Sequence, residues 1–311
     1  MPQMLLSAFT TLLTLHVPTC ITAFIASPQQ TLKLNKFPTP DIPYTFRPAE
    51  FSDISDITDV IVDAFDPGPD WRYTYQFKDK YPAYHRECMR QTIEQQWDFF
   101  HDRDGVFMNV IEVPVPSDDN SGDQTLEGDN QKSRVVSIGL FDIKPPFTQT
   151  SETQPSSLST FPFLPFHLAV NNQPPTSTHL HPIVTWPNCT AHLDANVTRA
   201  IDFSTKFTAA EHTYIETAYP QGQIYLQVLA THPEYDGHNF GATHCRWGMK
   251  LALERGRGEP VTLIATPAGY PLYKSLGYES LRNVTIGMLD GLEVLWYEVM
   301  RWGYEGDTWK G

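Results

Sequence analysis

Residues 229–248, "LATHPEYDGHNFGATHCRWG", join an apolar run, a short glycine-containing loop and a segment with helical character. Backbone N–H groups at the start of a helix have no partners within that helix, and the helix dipole makes this end positive. A loop that gathers such amides binds an anion without a cationic side chain. Gly237, Gly241 and Ala242 leave room for a ligand, and Asn239 tolerates left-handed backbone. The stretch predicts an anion site, although many ordinary strand-to-helix turns also contain two glycines.

An acid, Asp236, lies at the mouth of this loop. A carboxylate beside a bound pyrophosphate costs on the order of 1 kcal/mol at surface dielectric, which corresponds to roughly tenfold weaker binding. We therefore expect impaired rather than abolished anion binding. Arg246 and Lys250 on the following segment are candidates to offset the acid, and a solvated position fits them equally well.

Strands and helices alternate around this loop. Apolar residues at helical spacing predict a helix that begins at a cap, Ser52 or Asp53, and runs to Phe65. Downstream of the loop's own strand and helix, the order is a buried strand "VTLIAT", a short helix "PAGYPLYKSLG" and two antiparallel strands. The pattern predicts one α/β domain over residues 44–305, with flexible insertions at 115–133 and 145–187.

The order of elements, with "AGYPLYKSLGYE", resembles the GNAT superfamily of acyltransferases, which use acetyl-CoA. The family's pyrophosphate loop, Gln/Arg-x-x-Gly-x-Gly/Ala, falls on Asp236 to Gly241, with Asp at its first position and Asn239 at its fourth. "YPLYKSLGYE" resembles the family's Leu-Tyr-x-x-x-Gly-Phe segment, with Tyr278 in place of the Phe. "FRPAEFSDISDITDVIVDAF" is similar to the family's opening strand and helix, and "CTAHLDANVTRAIDFSTKF" to a segment of fungal-type members. The resemblance covers about residues 44–113, 134–143 and 188–302.

The resemblance implies a mixed, mostly antiparallel central sheet with a splayed parallel strand pair and helices on both faces. It implies that Tyr273 protonates the departing CoA thiolate; the alternative is a ring that only packs on the sheet. The residues implied to bind acetyl-CoA are Leu229, Ala230, Thr231, Asp236, Gly237, His238, Asn239, Phe240, Gly241 and Ala242.

Acyl transfer from a thioester to an amine needs a neutral amine, a polarised carbonyl and a proton for the leaving thiolate. A strand amide near Leu229 or Thr231 is suited to the developing oxyanion, and a phenol with a pKa near 10 is a sensible donor to a thiolate. The general base stays open among His232, Glu216 and a chain of waters. Family members often build the acceptor pocket near Trp71 to Phe77, but these alternating aromatic residues also fit a plain half-buried segment.

The chain carries 36 acids and 22 bases, a net charge of −14. This balance disfavours nucleic acid as a partner and is compatible with a small amine or peptide acceptor. The histidines near the loop and in the Pro-rich insertion show no recognised ligand spacing, so no metal is expected. The alternative function is a non-enzymatic binding module that keeps the fold but holds CoA weakly.

We expect residues 1–27 to form a signal-like or disordered apolar leader and residues 28–43 to form a linker. The leader lacks Lys and Arg before its apolar run, and Thr residues, His16 and Pro18 argue against a membrane span. Three sequons, at Asn188, Asn196 and Asn283, leave the secretory pathway open, while the intracellular supply of acetyl-CoA favours the cytoplasm. The four cysteines allow one disulfide, but their spacing does not require it.

Overall fold

The computed structural model describes residues 38–115, 133–144, 189–219, 221–288 and 294–303. Seven strands form one sheet in the order β1-β2-β3-β4-β5-β7-β6. The strands are β1 (Thr45–Pro48), β2 (Val106–Pro114), β3 (Ser133–Lys144), β4 (Gln223–Thr231), β5 (Val261–Ala265), β6 (Glu279–Met288) and β7 (Val294–Trp302). Only β4 and β5 pair in parallel. The predicted mixed, mostly antiparallel sheet is confirmed.

Helices cover both faces of the sheet, as predicted. They are α1 (Ile54–Phe65), α2 (Pro69–Thr74), α3 (Pro82–Phe100), α4 (Val197–Glu211), α5 (Phe240–Arg255) and α6 (Tyr270–Ser275). Val228 of β4 packs in the cluster that holds α1 and α3, whereas Leu226 packs with Met249 of α5 and Tyr273 of α6. Ile264 of β5 contacts the cluster that includes α4, so α4 lies on the side away from α5.

The first helix begins directly after Asp53, one of its two predicted caps, although the Asp53 side chain does not cap α1 itself. Phe51–Asp53 forms a single 3-10 turn, and α1 starts at Ile54. The Asp53 carboxylate accepts a hydrogen bond from the Glu50 amide at 2.7 Å and pairs with Arg47 of β1 at 2.6 Å. Asp53 therefore caps the 3-10 turn and ties it to the sheet.

A bulge in β4 creates the opening in the middle of the sheet. Leu140 of β3 pairs with Val228, and the next residue, Phe141, pairs with Leu226, so Gln227 is the extra residue. The parallel pairing with β5 ends at Leu226, while β4 continues to Thr231 paired with β3. The two parallel strands therefore diverge at their carboxyl ends.

The polypeptide around α2 and α3 is fastened by a disulfide and a buried polar network. Cys88 of α3 is bonded to Cys189, with the Cα atoms 5.4 Å apart. The sequence predicted only that one disulfide was allowed. Trp71 Nε1 donates to His85 Nε2 at 3.0 Å, and His85 Nδ1 lies 2.6 Å from Asp194 Oδ2. The segment after Cys189 is thereby fixed against α2 and α3.

Several predictions lie outside the described residues: the leader 1–27, most of the linker 28–43, nearly all of the insertions 115–133 and 145–187, and the sequon at Asn188. Among the helices that the structure describes, none has the length and apolar character needed to cross a membrane.

Candidate functional site

A cavity of about 480 Å³ lies where β4 diverges from β5. Its walls come from the α1–α2 corner, from β4, from the segment that follows β5, from α6 and from the loop before α5. The volume is in the range of small-molecule binding sites. The opening between the strands thus brings together segments that are distant in the sequence.

The loop before α5 has the backbone shape that its residues predicted. Asn239 precedes the helix with a left-handed φ of 63°, and Gly237 has a φ of 87°. A Cβ at Gly237 would meet no atom within 4 Å, so this part of the loop is open. At Gly241, by contrast, a Cβ would lie 2.9 Å from Leu272 Cδ2. Gly241 therefore allows α5 and α6 to approach closely.

Nine of the ten predicted acetyl-CoA residues divide into three groups, and Gly237, in the open part of the loop, does not line the cavity. Residues whose atoms line the cavity are Leu229, Ala230, Thr231, Asp236 and Gly241. The side chains of Phe240 and Ala242 are buried in the core, so only their backbone is suited to a ligand. His238 pairs with Asp41 at 2.6 Å, and the Asn239 side chain donates to the Thr39 carbonyl at 3.3 Å. These two side chains fix the linker against the loop.

Tyr273 lines the same cavity from α6. Its side chain is buried, and its ring centroid lies 5.5 Å from that of Tyr278. Burial raises the pKa of the Tyr273 phenol well above its usual value, and the neighbouring Cys245 adds to this shift. The hydroxyl therefore stays protonated at neutral and moderately alkaline pH.

Two residues with ionisable acidic side chains, Asp70 and Asp236, line the cavity, and no basic residue lines it. Partial desolvation raises the pKa of Asp236, and the nearby His232 opposes that shift. The two bases that were candidates to offset Asp236 do not line the cavity. Arg246 donates to the Pro38 carbonyl at 2.6 Å, and the exposed Lys250 pairs with Glu254 at 3.5 Å.

Neither side-chain candidate for the general base lines the cavity. His232 is buried, with Nε2 3.3 Å from Asp63. Glu216 pairs with His212 at 3.0 Å and with Lys144 at 4.0 Å. Asp70, which does line the cavity, is not among the predicted site residues, because Pro and Gly in "DPGPDW" indicate only a break in the chain. An acid beside an aromatic run is the signal that points to it.

The aromatic residues after α1 are not a regular alternating segment. Trp71 and Tyr73 belong to α2 and are buried, whereas Phe77 is exposed.

In the described ranges, no group of three or more His, Cys, Asp or Glu side chains could hold a metal ion.

No protein-family model and no curated protein matches the sequence. Several solved structures are similar in fold. One is a histone acetyltransferase HPA2 and related acetyltransferase from Corynebacterium glutamicum, with 17% identity, 84% of this chain and 95% of that chain covered, and a TM-score of 0.40. A second is the C-terminal condensation domain of Ebony in complex with beta-alanyl-dopamine, with 12% identity, coverages of 85% and 100%, and a TM-score of 0.46. A third is Arabidopsis thaliana NAA60 in complex with acetyl-CoA, with 10% identity, coverages of 84% and 98%, and a TM-score of 0.39.

Proposed function

We propose that this protein transfers an acetyl group from acetyl-CoA to the nitrogen of a small amine or peptide. One observation carries the proposal: a single cavity at the divergence of β4 and β5 borders both Tyr273 and the start of α5. These are the positions to which the sequence resemblance assigns proton donation and pyrophosphate binding.

The chain's own groups supply each requirement of the reaction. Backbone amides at residues 237–242 hold the CoA pyrophosphate at the positive end of α5. Beyond Leu226, β4 is no longer paired with β5, so its backbone on that side is free for the pantetheine arm. An amide near Leu229 or Thr231 stabilises the oxyanion. The protonated Tyr273 hydroxyl donates its proton to the sulfur as the C–S bond breaks.

The proposed role of Tyr273 is tested by Tyr273→Phe. This variant keeps the ring and removes the proton donor, so we expect kcat to fall by roughly 10²–10⁴-fold. The melting temperature and the KM for acetyl-CoA should change little. Steady-state kinetics with thiol detection measures the effect.

Tyr278→Phe is the matched control, because Tyr278 is a buried neighbour of Tyr273 that does not line the cavity. Equal losses in both variants would mean that the Tyr273 hydroxyl supports packing rather than proton transfer.

Binding of acetyl-CoA is tested by thermal shift and calorimetric titration. A ligand that binds only the folded protein raises its melting temperature. Since Asp236 opposes the pyrophosphate, Asp236→Gln should bind acetyl-CoA about tenfold more tightly than the wild type. Glu254→Gln, which removes an exposed acid from the other end of α5, should leave the affinity unchanged.

The alternative, a non-enzymatic binding module, is favoured by the two acids on the cavity wall. It predicts that neither the wild type nor Asp236→Gln is stabilised by acetyl-CoA or CoA. That result would contradict the proposed acetyl transfer.

A further inference from the structure

Asp70 is a carboxylate buried in the cavity wall. It is the second residue of α2, and only 5% of its surface is exposed. Among the described residues, its Oδ2 atom has no partner with hydrogen-bond geometry; the nearby buried Tyr297 hydroxyl, which also has none, partly stabilises the charge of the carboxylate. A buried carboxylate oxygen without a partner is costly for the folded state. The residue also borders the cavity, so a ligand with a cationic donor group would offset that cost.

The neighbours of Asp70 fix the position of the carboxylate and influence its pKa. A Cβ on Gly68 would lie 2.5 Å from Asp70 Oδ1, so only glycine leaves room for this carboxylate. Burial raises the pKa of Asp70, whereas the Tyr297 hydroxyl of β7, the Asp70 and Trp71 amides and the Arg72 charge oppose that shift.

The rest of the cavity near Asp70 selects the kind of ligand. The adjoining wall from the α1–α2 corner and β5 is apolar, with Ala64, Phe65, Pro67, Pro69 and Ile264. The other charged group on the wall is Asp236, and no Lys or Arg is among the residues that line the cavity. An apolar wall with a buried carboxylate fits an ammonium group attached to an apolar substituent.

We propose that Asp70 binds the ammonium group of the acceptor and takes one of its protons, and that the acceptor is a small primary amine with an apolar substituent. This proposal rests on the proposed acetyl transfer and names the acceptor side of the same site.

The proposed reaction begins with proton transfer from the acceptor to Asp70. One N–H bond of the ammonium breaks, and the proton forms an O–H bond with the Asp70 carboxylate. The freed nitrogen lone pair attacks the thioester carbonyl carbon; the C–N bond forms, and the C–S bond breaks. The sulfur takes the Tyr273 proton and leaves as a thiol. The second nitrogen proton restores the tyrosine, and Asp70 releases its proton to water.

The first experiment measures binding by calorimetric titration of the full chain with 2-phenylethylamine and with 2-phenylethanol, which has the same ring but no charge. We expect the wild type to bind the amine at least tenfold more tightly than the alcohol. Asp70→Asn should remove that preference and retain the stabilisation by acetyl-CoA. Asp79→Asn, which removes an exposed acid of the neighbouring turn, is the control.

The second experiment measures kcat/KM for 2-phenylethylamine between pH 6.5 and 9.5. Asp70→Asn should lower kcat/KM by roughly 10²–10⁴-fold near pH 7, and the defect should shrink as the pH approaches the amine's own pKa near 10. Gly68→Ala should lower the same parameter, because the new Cβ displaces the carboxylate.

A folding readout separates this role from a structural one. Because burial raises the pKa of Asp70, the folded state binds more protons than the unfolded state above the ordinary value of 3.8, and stability falls as the pH rises. Asp70→Asn should therefore melt no lower than the wild type at pH 7.

Unchanged amine binding and turnover in Asp70→Asn, or a wild type that binds acetyl-CoA but not the amine, would overturn the proposal. Amine binding that depends on Asp70 without any effect of acetyl-CoA would support the site and refute acetyl transfer.

Discussion

At the scale of single residues, His244 shows how burial alone fixes a protonation state. This histidine of α5 is fully buried, and neither ring nitrogen has a hydrogen-bond partner within the described residues. Burial lowers the pKa of His244 to about 3. A Cβ on Gly139 of β3 would lie 2.6 Å from His244 Nδ1, so the ring and the strand are in close contact. His244 is therefore a neutral core residue rather than a metal ligand.

His244 should make the protein sensitive to acid. In the unfolded chain it takes a proton below about pH 6.5, whereas the folded chain keeps it neutral down to about pH 3. The unfolded state then binds more protons, so stability falls as the pH decreases through this interval. Between pH 7.5 and 5.0, we expect His244→Leu to lose about 2 kcal/mol less free energy of unfolding than the wild type.

Urea unfolding at several pH values measures this difference. His212→Gln is the control, since His212 is exposed. Parallel pH dependences of His244→Leu and the wild type would show that His244 is not the acid-sensitive group.

The sequence identified those residues whose role depends on the local backbone. Asn239 and Gly237 have the left-handed backbone that their types predicted. Asp70 could not be recognised in this way, because its significance depends on burial beside β7 and on an opening in β4. Sequence periodicity carries no information on which acid a distant strand will desolvate.

At the scale of elements, the strands and helices around the glycine-containing loop lie where the sequence pattern predicted them. The apolar run before the glycine-containing loop is the end of β4 (Gln223–Thr231), and the segment with helical character after the loop is α5 (Phe240–Arg255), which ends before Gly256. Continuous apolar runs and a glycine stop are strong local signals. The six-residue helix α2 was not predicted, because tertiary contacts of Trp71 and Tyr73 hold it rather than a helical period.

The network of Trp71, His85 and Asp194 should determine the position of α2. Replacing His85 with Phe removes the acceptor for Trp71 and leaves the Asp194 carboxylate buried without its partner. Breaking a buried pair in this way costs about 3 kcal/mol or more. Since Trp71 directly follows Asp70, His85→Phe should also reduce amine turnover.

Chemical unfolding and the KM for the amine measure the two effects. His212→Gln again serves as the control, because it removes an exposed ion pair. If His85→Phe were as stable as the wild type, this network would not be what holds α2.

At the scale of the whole molecule, the disulfide between Cys88 and Cys189 links the α3 region to the chain that follows the second insertion. It closes a loop of 101 residues. Disulfides persist mainly in oxidising compartments; the cytoplasmic expectation and the secretory alternative both stay predictions. Asn283 is exposed on β6, where its Nδ2 donates to Glu298 at 3.2 Å, and Asn196 is the N-cap of α4 and donates to Gln76.

Opening the disulfide should weaken both the fold and the acceptor side of the cavity. Closure of a loop of about 100 residues contributes up to about 4.7 kcal/mol in the chain-entropy model. We expect the double variant Cys88→Ser, Cys189→Ser to lose roughly 2–5 kcal/mol of unfolding free energy. Because Cys189 lies five residues before Asp194, which binds His85 and through it Trp71, amine turnover should fall more than stabilisation by acetyl-CoA. Dithiothreitol should produce the same losses in the wild type and none in the double variant. A wild type that keeps its stability and turnover after complete reduction, verified by alkylation and mass spectrometry, would mean that packing alone holds α2 in place.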